Sequence, residues 1–196
     1  SSRVLYHRWR PSSLGGDIWI TDPDAPNAVA VGVPPASHPF TSDFRVSPDE
    51  EYLVWASADE QEDYWLYSAP ISTPPGAAIQ LNAAVPQSAL AGHFAISPDS
   101  RWLVSASDDK TLRLWHADTG QSIGEPMRGH EGTLNGAVFS PDGRLVLTAG
   151  LDRTAQLWSV ADHRLINPNP FLRHSDRVTH AVFNGTGNRV ATACVD

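Results

Sequence analysis

Four side chains between positions 130 and 158 carry the types that nucleophilic catalysis uses: His130, Thr148, Asp152 and Trp158. Brought together on adjacent strands, an imidazole, a hydroxyl and a carboxylate could act as a triad, the base taking the hydroxyl proton and the carboxylate orienting the base. His174-Ser175-Asp176 holds the same types in a row, but triad groups meet by folding, so adjacency is a coincidence of sequence. Eight histidines raise metal binding. Of these, His174 and His180 are six apart with a strand between them, and no Cys or second His elsewhere stands at zinc-ligand spacing. The acidic run Asp59-Glu60-Gln61-Glu62-Asp63 lacks the Gly-centred alternation of a calcium loop and reads as a solvated hairpin tip. There is no Gly-rich phosphate loop and no Gly-x-Ser-x-Gly elbow. The expectation is a protein with no catalytic residue, no metal and no cofactor.

Composition narrows the classes further. The chain has 196 residues, 41% hydrophobic and 18% charged, enough apolar side chains to bury a core. Asp and Glu outnumber Lys and Arg by 22 to 14, a net charge of -8, so no basic field gathers phosphates and nucleic acid is not an expected partner. The uncharged stretch 69–92 is broken by Pro70, Pro74, Pro75 and Pro86 and lacks the apolar run of a membrane span. Cys194 is the single cysteine and has no intrachain partner.

Elements that could position these groups emerge from an internal repeat. Ser-Pro-Asp recurs at Ser47, Ser97 and Ser140, with spacings of 50 and 43, and Asn184-Gly185-Thr186-Gly187 follows 44 residues later. A second series, Trp19, Tyr67, Trp115 and Trp158, has spacings of 48, 48 and 43. Within one unit, Ala137-Val138-Phe139, Leu145-Val146-Leu147-Thr148 and Ala155-Gln156-Leu157-Trp158 read as strands joined by turns at 140–143 and 151–154. An outer strand is expected after each Trp, as at Gln121-Ser122-Ile123 before Pro126. Four short antiparallel strands per 43 to 50 residues predict an all-β fold, a β-propeller of four-stranded blades. A β-sandwich needs no such period.

The unit from Ala89 onward resembles the WD40-repeat family, on Gly129-His130, Ser140-Pro141-Asp142-Gly143, Asp152-Arg153-Thr154, Leu157-Trp158 and, one unit earlier, Ser107-Asp108-Asp109-Lys110-Thr111 through Trp115 and Asp118-Thr119-Gly120. Residues 1–80 depart from it. Asp43-Phe44-Arg45-Val46-Ser47-Pro48-Asp49, Tyr52-Leu53-Val54-Trp55 and Tyr64-Trp65-Leu66-Tyr67 look like blades of TolB-type and peptidase-associated propellers. The chain is expected to be one propeller segment over 1–196, with divergent blades in 1–80 and WD40-type blades in 81–196. Two abutting domains joined near 70–86 are the alternative. In register, residues 4–6 and 191–195 both fall on second strands, so about four blades' worth of an incomplete ring is expected. The opening Ser1-Ser2-Arg3 suggests an excised piece of a longer chain, with open edges that another segment or copy would complete.

The resemblance implies that His130, Thr148, Asp152 and Trp158 form a buried structural hydrogen-bond network rather than a triad. It implies partial networks at Ser105, Asp109 and Trp115, where Gln87 replaces the histidine, and at His174, Thr192 and Asp196. His93 lies too close to its Ser-Pro-Asp to take the family role. The implied partner-binding face comprises Asp108, Thr133, Asn135, Leu151, Arg177, Thr179 and Val195. The function implied is a non-catalytic scaffold that binds a protein or peptide, in the cytoplasm. The alternatives are an accessory propeller of a larger, bacterial kinase, peptidase or nucleotide-binding protein, or a periplasmic TolB-like module.

Overall fold

The computed structural model describes residues 4–9, 16–21, 29–32, 40–58, 64–71, 78–81, 93–166 and 172–195. These are strands and turns, with no helix among the described residues. The chain divides into two compact units, 1–84 and 85–196.

In the first unit, β1 (Val4–Trp9), β2 (Gly16–Thr21) and β3 (Val29–Gly32) form a three-stranded antiparallel sheet. Strands β4 (Phe40–Val46), β5 (Tyr52–Ala58), β6 (Tyr64–Pro70) and β7 (Ile79–Gln80) form a four-stranded one in sequence order. Leu53, Trp55, Tyr67 and Ala69 alternate with their neighbours along β5 and β6, and so share one sheet face and a core with Ile71. Trp55 and Tyr67 are directly paired and their rings stack at 5.4 Å.

The second unit repeats the plan more completely. Strands β8 (His93–Ile96), β9 (Trp102–Ala106), β10 (Thr111–His116) and β11 (Ser122–Arg128) make one four-stranded sheet. The next contains β12 (Leu134–Phe139), β13 (Leu145–Gly150) and β14 (Thr154–Ser159), with an outer strand in two pieces, β15 (Arg164–Leu165) and β16 (Leu172–Arg173), both paired to β14. A hairpin of β17 (Val178–Phe183) and β18 (Val190–Cys194) follows. The first strands are neighbours: β12 packs against β8 on one side and β17 on the other. These are propeller blades stacked face to face, and no sheet closes on itself among the described residues.

Period-two alternation explains the stacking. Val146 joins Trp158, Leu114 and Leu134 in the core toward the preceding blade, whereas Leu147 and Ala149 join Val178 and Ala181 toward the following one. Trp115, Trp158 and Tyr67 lie on the third strand of their blades, and Trp19 lies on β2, the middle strand of its three-stranded sheet. The outer strand β11 runs through Pro126 rather than stopping before it. Its register against β10 shifts between Leu112 and Leu114, and an edge strand tolerates a residue without an N–H at such an irregularity.

Ser-Pro-Asp closes the turn between first and second strands. The Ser140 hydroxyl donates to Asp142 (2.6 Å) and accepts the Leu145 N–H (2.9 Å), while Asp142 accepts the Arg144 N–H (3.1 Å). Ser97 and Asp99 repeat the pattern, as do Ser47 and Asp49. At the fourth unit the Asn184 side chain accepts the Arg189 N–H (3.0 Å) in place of the serine. The residue after each Asp has a positive φ: Glu50 (60°), Ser100 (62°) and Gly143 (71°).

Candidate functional site

A turn between second and third strands, at the opposite end of the blade from Ser-Pro-Asp, positions the four residues of the most chemical appearance. Asp152 sits in the turn between β13 and β14, Thr148 on β13, Trp158 on β14, and His130 in the connection that enters β12. The structure brings all four together. His130 Nδ1 is 2.7 Å from Asp152 Oδ2 and Nε2 is 2.7 Å from Thr148 Oγ1, which also accepts the Trp158 indole N–H at 2.9 Å. A carboxylate only accepts, so Nδ1 carries the proton toward Asp152, while the Thr148 hydroxyl lies between Nε2 and the Gln156 carbonyl, which is 3.3 Å away.

Asp152 is saturated. Beyond His130 it accepts the Glu131 N–H (2.9 Å), the Thr154 N–H (3.0 Å) and the Thr154 hydroxyl (2.7 Å). Burial pushes its pKa up, but the hydrogen bonds from His130 and Thr154 and the field of the imidazole outweigh that, holding the carboxyl well below the usual range. The Asp152 side chain is 8% exposed and Thr148 0%. A nucleophile must come within about 3–3.5 Å of a substrate atom. Thr148 is sealed from solvent and its proton is already committed.

Neighbouring blades carry parts of this arrangement. The Trp115 indole donates to Ser105 Oγ at 3.0 Å, and Asp109 accepts the Thr111 N–H and hydroxyl at 2.9 and 2.6 Å. His174 Nε2 lies 2.9 Å from Thr192 Oγ1. Gln87, the acidic run 59–63 and Asp196 lie outside the described residues. His93 begins β8, opposite Ala106 at the end of β9.

Gly150 belongs to the site although its type announces no chemistry. A Cβ there would stand 2.6 Å from His130 Nδ1 and 2.7 Å from Asp152 Oδ1. Thr154 and Gln156 also contribute: the Gln156 amide donates to the Gly129 carbonyl at 3.2 Å, fixing the connection before His130. Alternation along β14 was the available signal, since Thr154, Gln156 and Trp158 share one face.

Hydrogen bonds link the segments that carry the seven candidate face residues. The Leu134 N–H donates to the Ser107 carbonyl, beside Asp108, and the Leu151 N–H to the Thr133 carbonyl. The Asn135 amide donates to the Val178 carbonyl at 2.9 Å, bridging to the next blade, where the Val195 N–H reaches the Arg177 carbonyl. The Thr179 hydroxyl donates to the Ala193 carbonyl at 3.2 Å. Asp108 and Arg177 are exposed, and Leu151 and Val195 are 41% and 38% exposed.

Residues 85–116 and 120–159 each match the family model for the WD domain, G-beta repeat. Both matches fall in the second unit, the first covering β8–β10 and the second β11–β14. No curated protein matches the chain. WD40 repeats are protein-interaction scaffolds in general, typically without catalytic activity, and their partners are proteins or peptides. No helix among the described residues is long and apolar enough to cross a membrane.

Proposed function

We propose that this chain is a non-catalytic scaffold of the WD40 type that binds a protein or peptide through the band of Asp108, Thr133, Asn135, Leu151, Arg177, Thr179 and Val195. The observation that supports the reading is the run of hydrogen bonds linking the segments that carry these residues, on which Leu151 and Val195 are exposed apolar side chains and Asp108 and Arg177 exposed charged ones. An apolar centre within a polar rim is what interfaces use. His130, Thr148 and Asp152 serve as structural groups in this reading, which their burial and saturated hydrogen bonding support. A cytoplasmic location goes with this reading.

The test is site-specific photo-crosslinking in cells. A photoreactive residue at Leu151 is expected to trap a discrete partner, and one at exposed Glu125 on an outer strand is not. The trapped species should vanish in the Arg177→Glu variant while the melting temperature stays unchanged. Equal crosslinking from both positions would refute the assignment of the face. Light scattering on the size-exclusion peak reads self-association separately.

A further inference from the structure

At the other end of the second unit, where the Ser-Pro-Asp turns lie, a cavity of about 680 Å³ opens between the β8–β11 and β12–β16 blades. That is within the range of small-molecule sites, roughly 300–1,000 Å³. Its wall is apolar: Trp102, Leu114 and Ile123 from one blade, Leu145 and Val160 from the next. Two side chains capable of donating to an anion also line it, Arg144 and His163.

Among the described residues the Arg144 guanidinium makes no hydrogen bond or ion pair, its charge acting on the nearby Asp142 carboxylate only through space, and the His163 imidazole makes no hydrogen bond; its ring lies against Gly124. The nearby carboxylates are already engaged. Asp142 accepts the Ser140 hydroxyl and the Arg144 N–H, and Asp162 accepts the Ser159 hydroxyl at 2.8 Å. The cavity thus offers unspent donors to an anion, on a chain whose net charge is -8. Two donor side chains in an apolar wall suit one carboxylate. A phosphate, with three strong acceptor oxygens, needs more donors than this wall provides.

We propose that this cavity binds an amphipathic monocarboxylate, with its apolar tail between Trp102, Leu114, Ile123, Leu145 and Val160 and its carboxylate on the Arg144 guanidinium, His163 being the second donor. The site is separate from the proposed partner face, since it lies at the opposite ends of the strands. Binding to one does not require the other.

Calorimetric titration of the full chain with octanoate, octanol and octylamine, which share one tail, tests this. Octanoate is expected to bind at least about tenfold more tightly than octanol, the factor of one charge-assisted hydrogen bond, and octylamine more weakly still. Arg144→Gln should reduce octanoate to the affinity of octanol and leave octanol unchanged. Ala161→Trp, at an exposed position on the cavity wall, should abolish both without lowering the melting temperature. Absence of octanoate binding at millimolar concentration, equal affinity for octanol, or indifference to Arg144→Gln would each overturn the proposal. So would octanoate binding that survives Ala161→Trp. Binding of an acidic, leucine-containing peptide where octanoate fails would replace the small ligand by a protein segment.

Discussion

Gly150→Ala puts the reasoning about the buried network at greatest risk, because it adds one methyl group and removes no hydrogen-bonding atom. The new Cβ would stand 2.6 Å from His130 Nδ1, 2.9 Å from His130 Cε1 and 2.7 Å from Asp152 Oδ1. All three atoms are pinned. The imidazole is held at both nitrogens, and Asp152 by four donors. Either the overlap stays, at an overpacking cost of about 1–3 kcal/mol, or the ring swings away and forfeits a hydrogen bond to a charged group, about 1.5–3 kcal/mol. The molecule takes the cheaper route, so the expected loss is about 1–3 kcal/mol. For a chain of this size that lowers the melting temperature by about 2–12 °C.

The assay is urea unfolding followed by tryptophan fluorescence, in a double-mutant cycle with His130→Ala. Removing the imidazole empties the space that the methyl group needs. In that background Gly150→Ala should cost about 0.5 kcal/mol or less, giving a coupling of about 0.5–2 kcal/mol. Ser107 occupies the matching position one repeat earlier, where Gln87 replaces the histidine. A Gly150→Ala variant within about 0.5 kcal/mol of the parent, or strict additivity with His130→Ala, would refute the argument.

Three further outcomes follow from the same structure. Asp152 has a folded pKa below its unfolded 3.8, so its contribution is present above that value and is lost as pH falls below it; Asp152→Asn should be less stable at pH 7 and show a shallower loss of stability between pH 4 and 2 in acid titrations. Burial pushes the Tyr67 pKa up to about 12, so its contribution is full below pH 10 and lost as pH rises through 12; phenolate absorbance should show a late component that Tyr67→Phe removes. Gly143 has a φ of 71° and the nearest atom to an added Cβ would be Pro98 Cδ at 3.6 Å, so Gly143→Ala is resisted by backbone conformation alone, costing about 1–2 kcal/mol in thermal unfolding, and Gly143→Asn should cost less.

The strand plan was legible because repetition supplied two independent rulers. Ser-Pro-Asp marks the first turn of a blade through its own hydrogen bonds, and the Trp series marks the third strand through the core it fills. Both signals are local and survive divergence. The split of the outer strand into β15 and β16 was not legible, since an edge strand answers to one neighbour and its sequence is weakly constrained. The extension of β11 beyond Pro126 escaped for the same reason. Stacking of Trp55 on Tyr67 needed the register between β5 and β6, which spacing alone leaves open. Gly150 was invisible because its role is an absence of side chain, recognisable only once His130 and Asp152 converge on it.

The buried network joins stability to the proposed interface. His130 precedes β12, in the stretch that leads from one blade into the next, and it is bonded to the turn between β13 and β14 of the blade it enters. The Glu131 N–H adds a second tie to the same carboxylate, and the Leu151 N–H a third, to the Thr133 carbonyl. The two loops flank the Leu134–Gly150 end of the β12–β13 pairing and are thereby fixed against each other, and Thr133, Asn135 and Leu151 lie on them or at their edge. Loop ordering is a large entropic cost of association, and a network that orders the loops beforehand removes it from binding. A substitution that breaks the His130–Asp152 bond should therefore weaken partner binding even at temperatures where the chain stays folded, whereas breaking the Ser140–Asp142 turn at the far end should lower stability and leave binding unchanged.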